Sequence, residues 1–212
     1  MPSTRRRLLA TAATGGTILL AGCTGQLPGT GPRRVDAVET GGERELVWQY
    51  PAAEVEEHDD GVGYGSVTFE GDRSSDGGSG RLAFELNTTV GGIAATEAYT
   101  DYEADWARFR LGPPNAYTAT HPFEMWVQPP TGGFDLRTGY DHRAGRRELV
   151  VELPGIDTGG TITLPVLFDP SDDAVPDLFH CSFTVEASEP GAFGETVRAS
   201  SRGTIEIAAA RS

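Results

Sequence analysis

Four histidines, one internal cysteine and two acidic runs are the side chains of this chain equipped to hold a metal or move a proton. The histidines are His58, His121, His142 and His180, and the pairs His58-Asp59 and Asp141-His142 set a carboxylate beside an imidazole. A zinc site needs three or four convergent ligands. No His-x-His or paired-cysteine spacing brings them together, so the histidines read as surface groups. The acidic runs are Glu54, Glu56, Glu57, Asp59, Asp60 and, further on, Asp169, Asp172, Asp173, Asp177. Calcium takes six to eight oxygens from a loop, which makes both runs candidates; the competing reading is solvated surface charge. Cys181 stands between Phe179 and Phe183. A reactive thiol wants an electropositive, partly exposed setting, so Cys181 reads as core. His180 belongs to the opposite face of the same strand, because successive side chains alternate.

No nucleophile elbow, zinc-protease helix, phosphate loop or cysteine pair occurs. The glycine-rich stretch GVGYGS (61–66) has no helix after it and reads as a strand start or bulge. No catalytic residue is nominated and no cofactor is called for. Trp126 shares a strand face with Glu124 and Gln128, and with Tyr64, Tyr140 or Trp48 it is a candidate ligand platform for sugar or peptide. Asn87-Thr88-Thr89 is a glycosylation sequon.

These residues must be positioned by strands. Apolar and polar residues alternate in GRLAFELNT (80–88), SVTFE (66–70), FHCSFTVEA (179–187) and TVRASSRGTIEI (196–207). ELVWQY, WARFRL, FEMWVQ, RELVVEL and TITLPVLF are further strand candidates. Gly/Pro/Ser/Asp clusters separate them, and SEPGAFG (188–194) reads as the hairpin joining the last two strands. The stretch TEAYTDYEADW (96–106) allows one or two helical turns, and Pro113-Pro114 and Pro129-Pro130 mark edges or loops. About nine half-buried strands predict an all-β, antiparallel β-sandwich, immunoglobulin-like or similar. It follows a signal segment and a flexible tether.

The amino end has the three parts of an export signal: Arg5-Arg6-Arg7, an apolar run from Leu8 to Ala21, and small residues before Cys23. The run is 14 residues long, short of the roughly 20 that span a hydrocarbon core. Thr4-Arg5-Arg6-Arg7-Leu8-Leu9 resembles the twin-arginine export motif, and Leu20-Ala21-Gly22-Cys23 resembles a lipobox. The resemblance implies cleavage before Cys23 and a lipid on its sulfur. With Cys23 modified, Cys181 is the sole remaining thiol and no intrachain disulfide is available. Residues 24–43 are rich in Gly, Pro and Thr and read as the tether.

Acids number 31 against 17 basic residues, every one of them arginine. Removing Arg5, Arg6 and Arg7 with the signal leaves 14 arginines and a charge of about −17. Such a charge excludes a nucleic-acid partner, which needs a basic patch. It also strains a compact fold by self-repulsion unless salt screens it. Signal, lipobox and lysine-free acidity together resemble haloarchaeal twin-arginine lipoproteins, a group united by export and habitat and not by activity.

The predicted organisation is therefore a twin-arginine lipoprotein signal at 1–22, a lipidated cysteine and tether at 23–43, and one sandwich domain at 44–212. The chain is expected on the extracellular face of the membrane, held by the lipid on Cys23 after passage through the twin-arginine machinery. The leading reading is a non-catalytic domain meeting an envelope protein or glycan. The alternative is a sugar- or peptide-binding lipoprotein accessory to a transporter, and a third is a hydrolase with an unrecognised loop site.

Overall fold

A computed structural model of the chain describes residues 31–50, 63–73, 81–90, 101–128, 135–142, 145–156, 161–172 and 174–207. They form twelve strands and one short helix, arranged as two six-stranded sheets packed face to face. The strands of the first sheet are β1 (Arg33–Val35), β6 (Glu103–Gly112), β8 (Arg137–Asp141), β9 (Glu148–Ile156), β11 (Leu178–Ser188) and β12 (Thr196–Glu206). Its order is β1-β12-β11-β6-β9-β8. The second sheet holds β2 (Val38–Gly42), β3 (Glu45–Tyr50), β4 (Gly63–Arg73), β5 (Arg81–Val90), β7 (Phe123–Val127) and β10 (Thr161–Pro170), in the order β2-β3-β4-β5-β10-β7. Every pairing is antiparallel except β1 with β12, which is parallel.

All nine expected strands are present, with three more at the edges. The alternation of β11 is complete: Phe179, Cys181, Phe183, Val185 and Ala187 are buried, and the residues between them are half-buried. Such a strand has one register that hides its apolar set, since a slip of one residue would expose it all. β1, β2 and β8 escaped the sequence reading because edge strands need little apolar patterning. β8 exposes or half-exposes every residue, and β1 buries only Val35.

Residues 33–35 and 38–42, read from composition as part of the tether, are strands paired into the two sheets, and the rest of that stretch before residue 31 lies outside the described residues. The glycines taken for a linker make the β2–β3 hairpin instead. Gly41 has φ +147, and a Cβ there would lie 2.1 Å from the Glu45 carbonyl oxygen. The segment read as helical turns is β-strand from Glu103 onward; residues 96–100 lie outside the described residues. The helix, α1 (Asn115–Thr120), falls where a loop was expected. Pro114 precedes it and Pro122 follows, so both ends are set by proline. It closes one end of the sandwich with buried Tyr117, whose hydroxyl donates to the Ala174 carbonyl at 2.6 Å.

Phe183 occupies the middle of the core. It packs against Phe109 with ring centroids 4.6 Å apart, and stacks with Tyr50 at 5.9 Å and Trp48 at 6.3 Å. Gly65 in β4 faces this ring, and a Cβ at that position would fall 2.4–2.6 Å from its carbons. The third glycine of GVGYGS is thus a space requirement within a strand.

Candidate functional site

The two outer faces differ in where their arginines gather. In the second sheet the outward positions include Glu45, Glu85, Glu124 and Asp169, with Arg81 paired to Asp169 at 2.9 Å. In the first sheet arginines share the outward positions with carboxylates: Arg108 and Arg110 on β6, Arg137 on β8, and Arg198 and Arg202 on β12 stand among Asp141, Glu148, Glu152, Glu186 and Glu206. Arg146 joins them from the loop before β9. Period-two alternation places them there, because Ala107, Phe109, Leu111, Val197 and Ala199 must point inward.

Register then sets these groups side by side. Ser182 on β11 lies opposite Arg202 on one flank and Arg110 on the other. Two strand spacings separate the flanking arginines, about 10 Å. The next row runs Ser200–Thr184–Arg108–Glu152–Arg137. A third sets Arg198, Glu186, Trp106 and Pro154 across the sheet. Trp106 carries Arg108 at 4.9 Å and Arg198 at 5.6 Å from its ring centre, a cation–π arrangement.

Most of these cations are already neutralised. Arg108 meets Glu152 at 2.5 Å, Arg110 meets Asp141 at 2.5 Å and Glu148 at 3.7 Å, and Arg146 meets Glu148 at 3.8 Å. Arg198 pairs with Glu186. Arg202 has no ion pair among the described residues, and neither its guanidinium nor the half-buried His180 has a hydrogen-bond partner there. Between them runs a polar groove of about 460 Å³, lined by Arg110, Arg146, His180, Ser182, Arg202 and Glu148 among others. A shallower groove of about 410 Å³ continues from Arg110 toward Arg137. Such a surface is able to bind an anionic group by charge-assisted hydrogen bonds, with Arg202 free to make a bidentate pair.

The residues singled out in the sequence scatter around this groove. Cys181 lies beneath it, buried. Burial and the Glu148 carboxylate push its thiol far above the ordinary range, so it is an inert core group. His180 is on the outward face, as alternation requires. Trp126 is half-buried on the outer face of the second sheet, opposite Leu167, with Arg81 5.7 Å from its ring centre. Trp48 is fully buried, and Tyr140 packs against the core with its hydroxyl bonded to the Met125 backbone; neither joins Trp126. The side chain of Tyr64 lies outside the described residues.

Asn87 is mid-sheet on β5, donating to Glu85 at 3.0 Å and accepting from Thr163 at 2.6 Å, while Thr88 is buried. Asp169 is committed to Arg81, and Asp172 to His121 Nδ1 at 2.7 Å; that hydrogen bond holds the Asp172 carboxyl below its usual range. Asp177 is exposed, and Asp173 lies outside the described residues, as do His58 and the 54–60 run. No three His, Cys, Asp or Glu side chains converge among the described residues. Among those residues, too, no helix is long and apolar enough to cross a membrane. The groove itself was missed because its signal is the register between distant strands; the outward placement of Arg108, Arg110, Arg198 and Arg202 was visible, and their adjacency was not.

No family model matches the chain, and no curated protein matches it. Among solved structures it is similar to a cohesin module from a family 33 glycoside hydrolase of Clostridium perfringens ATCC13124, at 13% identity over 66% of this chain and 94% of that one, TM-score 0.34. It is similar also to the collagen-binding domain of a Staphylococcus aureus adhesin, at 10% identity over 66% and 95%, TM-score 0.34. A third is AvmM, described as catalysing macrocyclization in alchivemycin A biosynthesis, at 7% identity over 66% and 87%, TM-score 0.34. No residue role is carried over from any of them.

Proposed function

We propose that this chain is a lipid-anchored cell-surface protein of a salt-adapted organism, and that its sandwich is a non-catalytic binding domain. The contact site is the groove on the outer face of the first sheet, and the partner is an envelope component presenting an anionic group. The order Arg5-Arg6, apolar run, Leu20-Ala21-Gly22-Cys23 supports export and anchoring. The observation that carries the binding reading is Arg202. In a chain with 31 acids to 17 arginines, a guanidinium without a carboxylate, beside His180 and Ser182 in a groove, is where a ligand anion gains most.

The test is crosslinking in intact cells followed by mass spectrometry, comparing the natural chain with Arg202→Glu and His180→Ala, alongside fractionation of Cys23→Ser. The expected result is a captured partner lost on Arg202→Glu, and a Cys23→Ser chain released from membranes. Capture indifferent to both groove substitutions refutes the binding site. A Cys23→Ser chain that still sediments fully with envelopes refutes the anchor.

A further inference from the structure

Among the described residues one large hydrophobic side chain is exposed: Phe193, at 91%. It stands at the tip of the β11–β12 hairpin, in a turn with defined geometry. Glu189 N donates to Glu195 O at 2.9 Å and Gly194 N to Gly191 O at 3.3 Å. Gly191 has φ +122, and a Cβ on Gly194 would meet the Glu189 carbonyl at 2.1 Å. The backbone is built to hold the ring outward. A lone exposed apolar residue is ordinary on a protein surface, so its position decides whether it means anything.

That position is where the chain enters the domain. β1 runs parallel to β12 with Arg33 opposite Val197, so the residues before Arg33 lead away past the hairpin. Arg33 Nε meets Glu195 Oε1 at 2.5 Å, two residues from Phe193, and Tyr102 donates to the same carboxylate at 2.9 Å. Arg33 stands ten positions after Cys23, at most about 35 Å fully extended. The other end of the sandwich, closed by α1, is a full strand length away, roughly 35 Å for an eleven-residue strand. The chain that leads back to Cys23 therefore joins the domain at the hairpin end, beside Phe193 and not beside α1.

From this we infer that Phe193 is a second contact with the bilayer, seating its ring in the interfacial layer and holding the hairpin end down, with the first sheet's groove facing sideways. The inference rests on the anchoring reading above. The contact is apolar in kind. Glu103 and Asp105 lie beside Ser188 at the base of the turn, Glu189 follows it, and all three are exposed, so an anionic membrane repels this end at low salt. Concentrated salt screens that repulsion and strengthens apolar burial.

The experiment uses the lipidated chain in phosphatidylglycerol vesicles, with and without bromine on the acyl tails. Phe193→Trp is compared with Ala119→Trp, which places the probe on the exposed face of α1 at the far end. The expected result is extra emission from Phe193→Trp that is blue-shifted and quenched by bromine, and from Ala119→Trp that is neither. Quenching should hold or grow between about 0.1 and 2 M salt. An unquenched Phe193→Trp on chains that float with the vesicles overturns the inference, as does quenching lost at high salt, which would mark a charge contact. Flotation of Cys23→Ser tests the anchor separately, and the quenching pattern is read whichever way it falls.

Discussion

Replacing Gly65 by alanine tests the packing at the centre of the sandwich. The new methyl would stand 2.4, 2.6 and 2.6 Å from three carbons of Phe183, where ordinary contact needs more than an ångström of additional room. The ring has nowhere to go, since it is fully buried between Phe109, Tyr50 and Trp48. Overpacking of this kind costs about 1–3 kcal/mol. Loss of glycine's unfolded-state entropy returns roughly 0.5–1 kcal/mol. The net expectation is a loss of about 0–2.5 kcal/mol, or a fall in Tm of up to roughly 5–10 °C for a domain of this size. Thermal and denaturant melts in concentrated salt measure it. Phe183→Leu, which frees room, supplies the control: the double variant should be at least about 1 kcal/mol more stable than additivity allows. A stabilising Gly65→Ala, or strict additivity with Phe183→Leu, would refute the close approach.

Other consequences follow from charge and from unmet hydrogen bonds. The domain should melt lower as salt falls below a few hundred millimolar, because its net charge is about −17 without the signal; a Tm flat across the salt range would contradict this. Tyr50→Phe should be neutral or stabilising by up to about 1 kcal/mol in denaturant melts. The Tyr50 hydroxyl is buried without a partner among the described residues, and its removal relieves a desolvation penalty. Burial is the main cause that raises Tyr102 and Tyr117 to about 12. A folded-state value above the unfolded one of about 10 contributes stability that is complete below pH 10 and lost between pH 10 and 12. Alkaline melts of Tyr117→Phe should show a smaller drop across that window than the natural chain; an identical drop would remove Tyr117 from the account.

The amino-acid sequence by itself determined the architecture and the inside of each long strand. Nine strands were legible because burying one face of a sheet forces a period of two, visible in Phe179, Cys181, Phe183 and Val185 without any partner strand in view. The resemblance of residues 4–23 to export and lipidation signals is also carried by the sequence alone, because motifs of that kind are local and linear. Tertiary structure alone decided what meets what. The glycines at 41 and 42 looked like linker because a hairpin and a tether share composition, and only pairing with β3 separates them. Gly65 looked like flexibility until Phe183 was found against it. Arg110, Ser182 and Arg202 are far apart in the chain, and strand register is what makes them neighbours. Register is set by the turns and by the whole buried face at once, so a groove across three strands is a property of the fold that no single stretch of sequence contains.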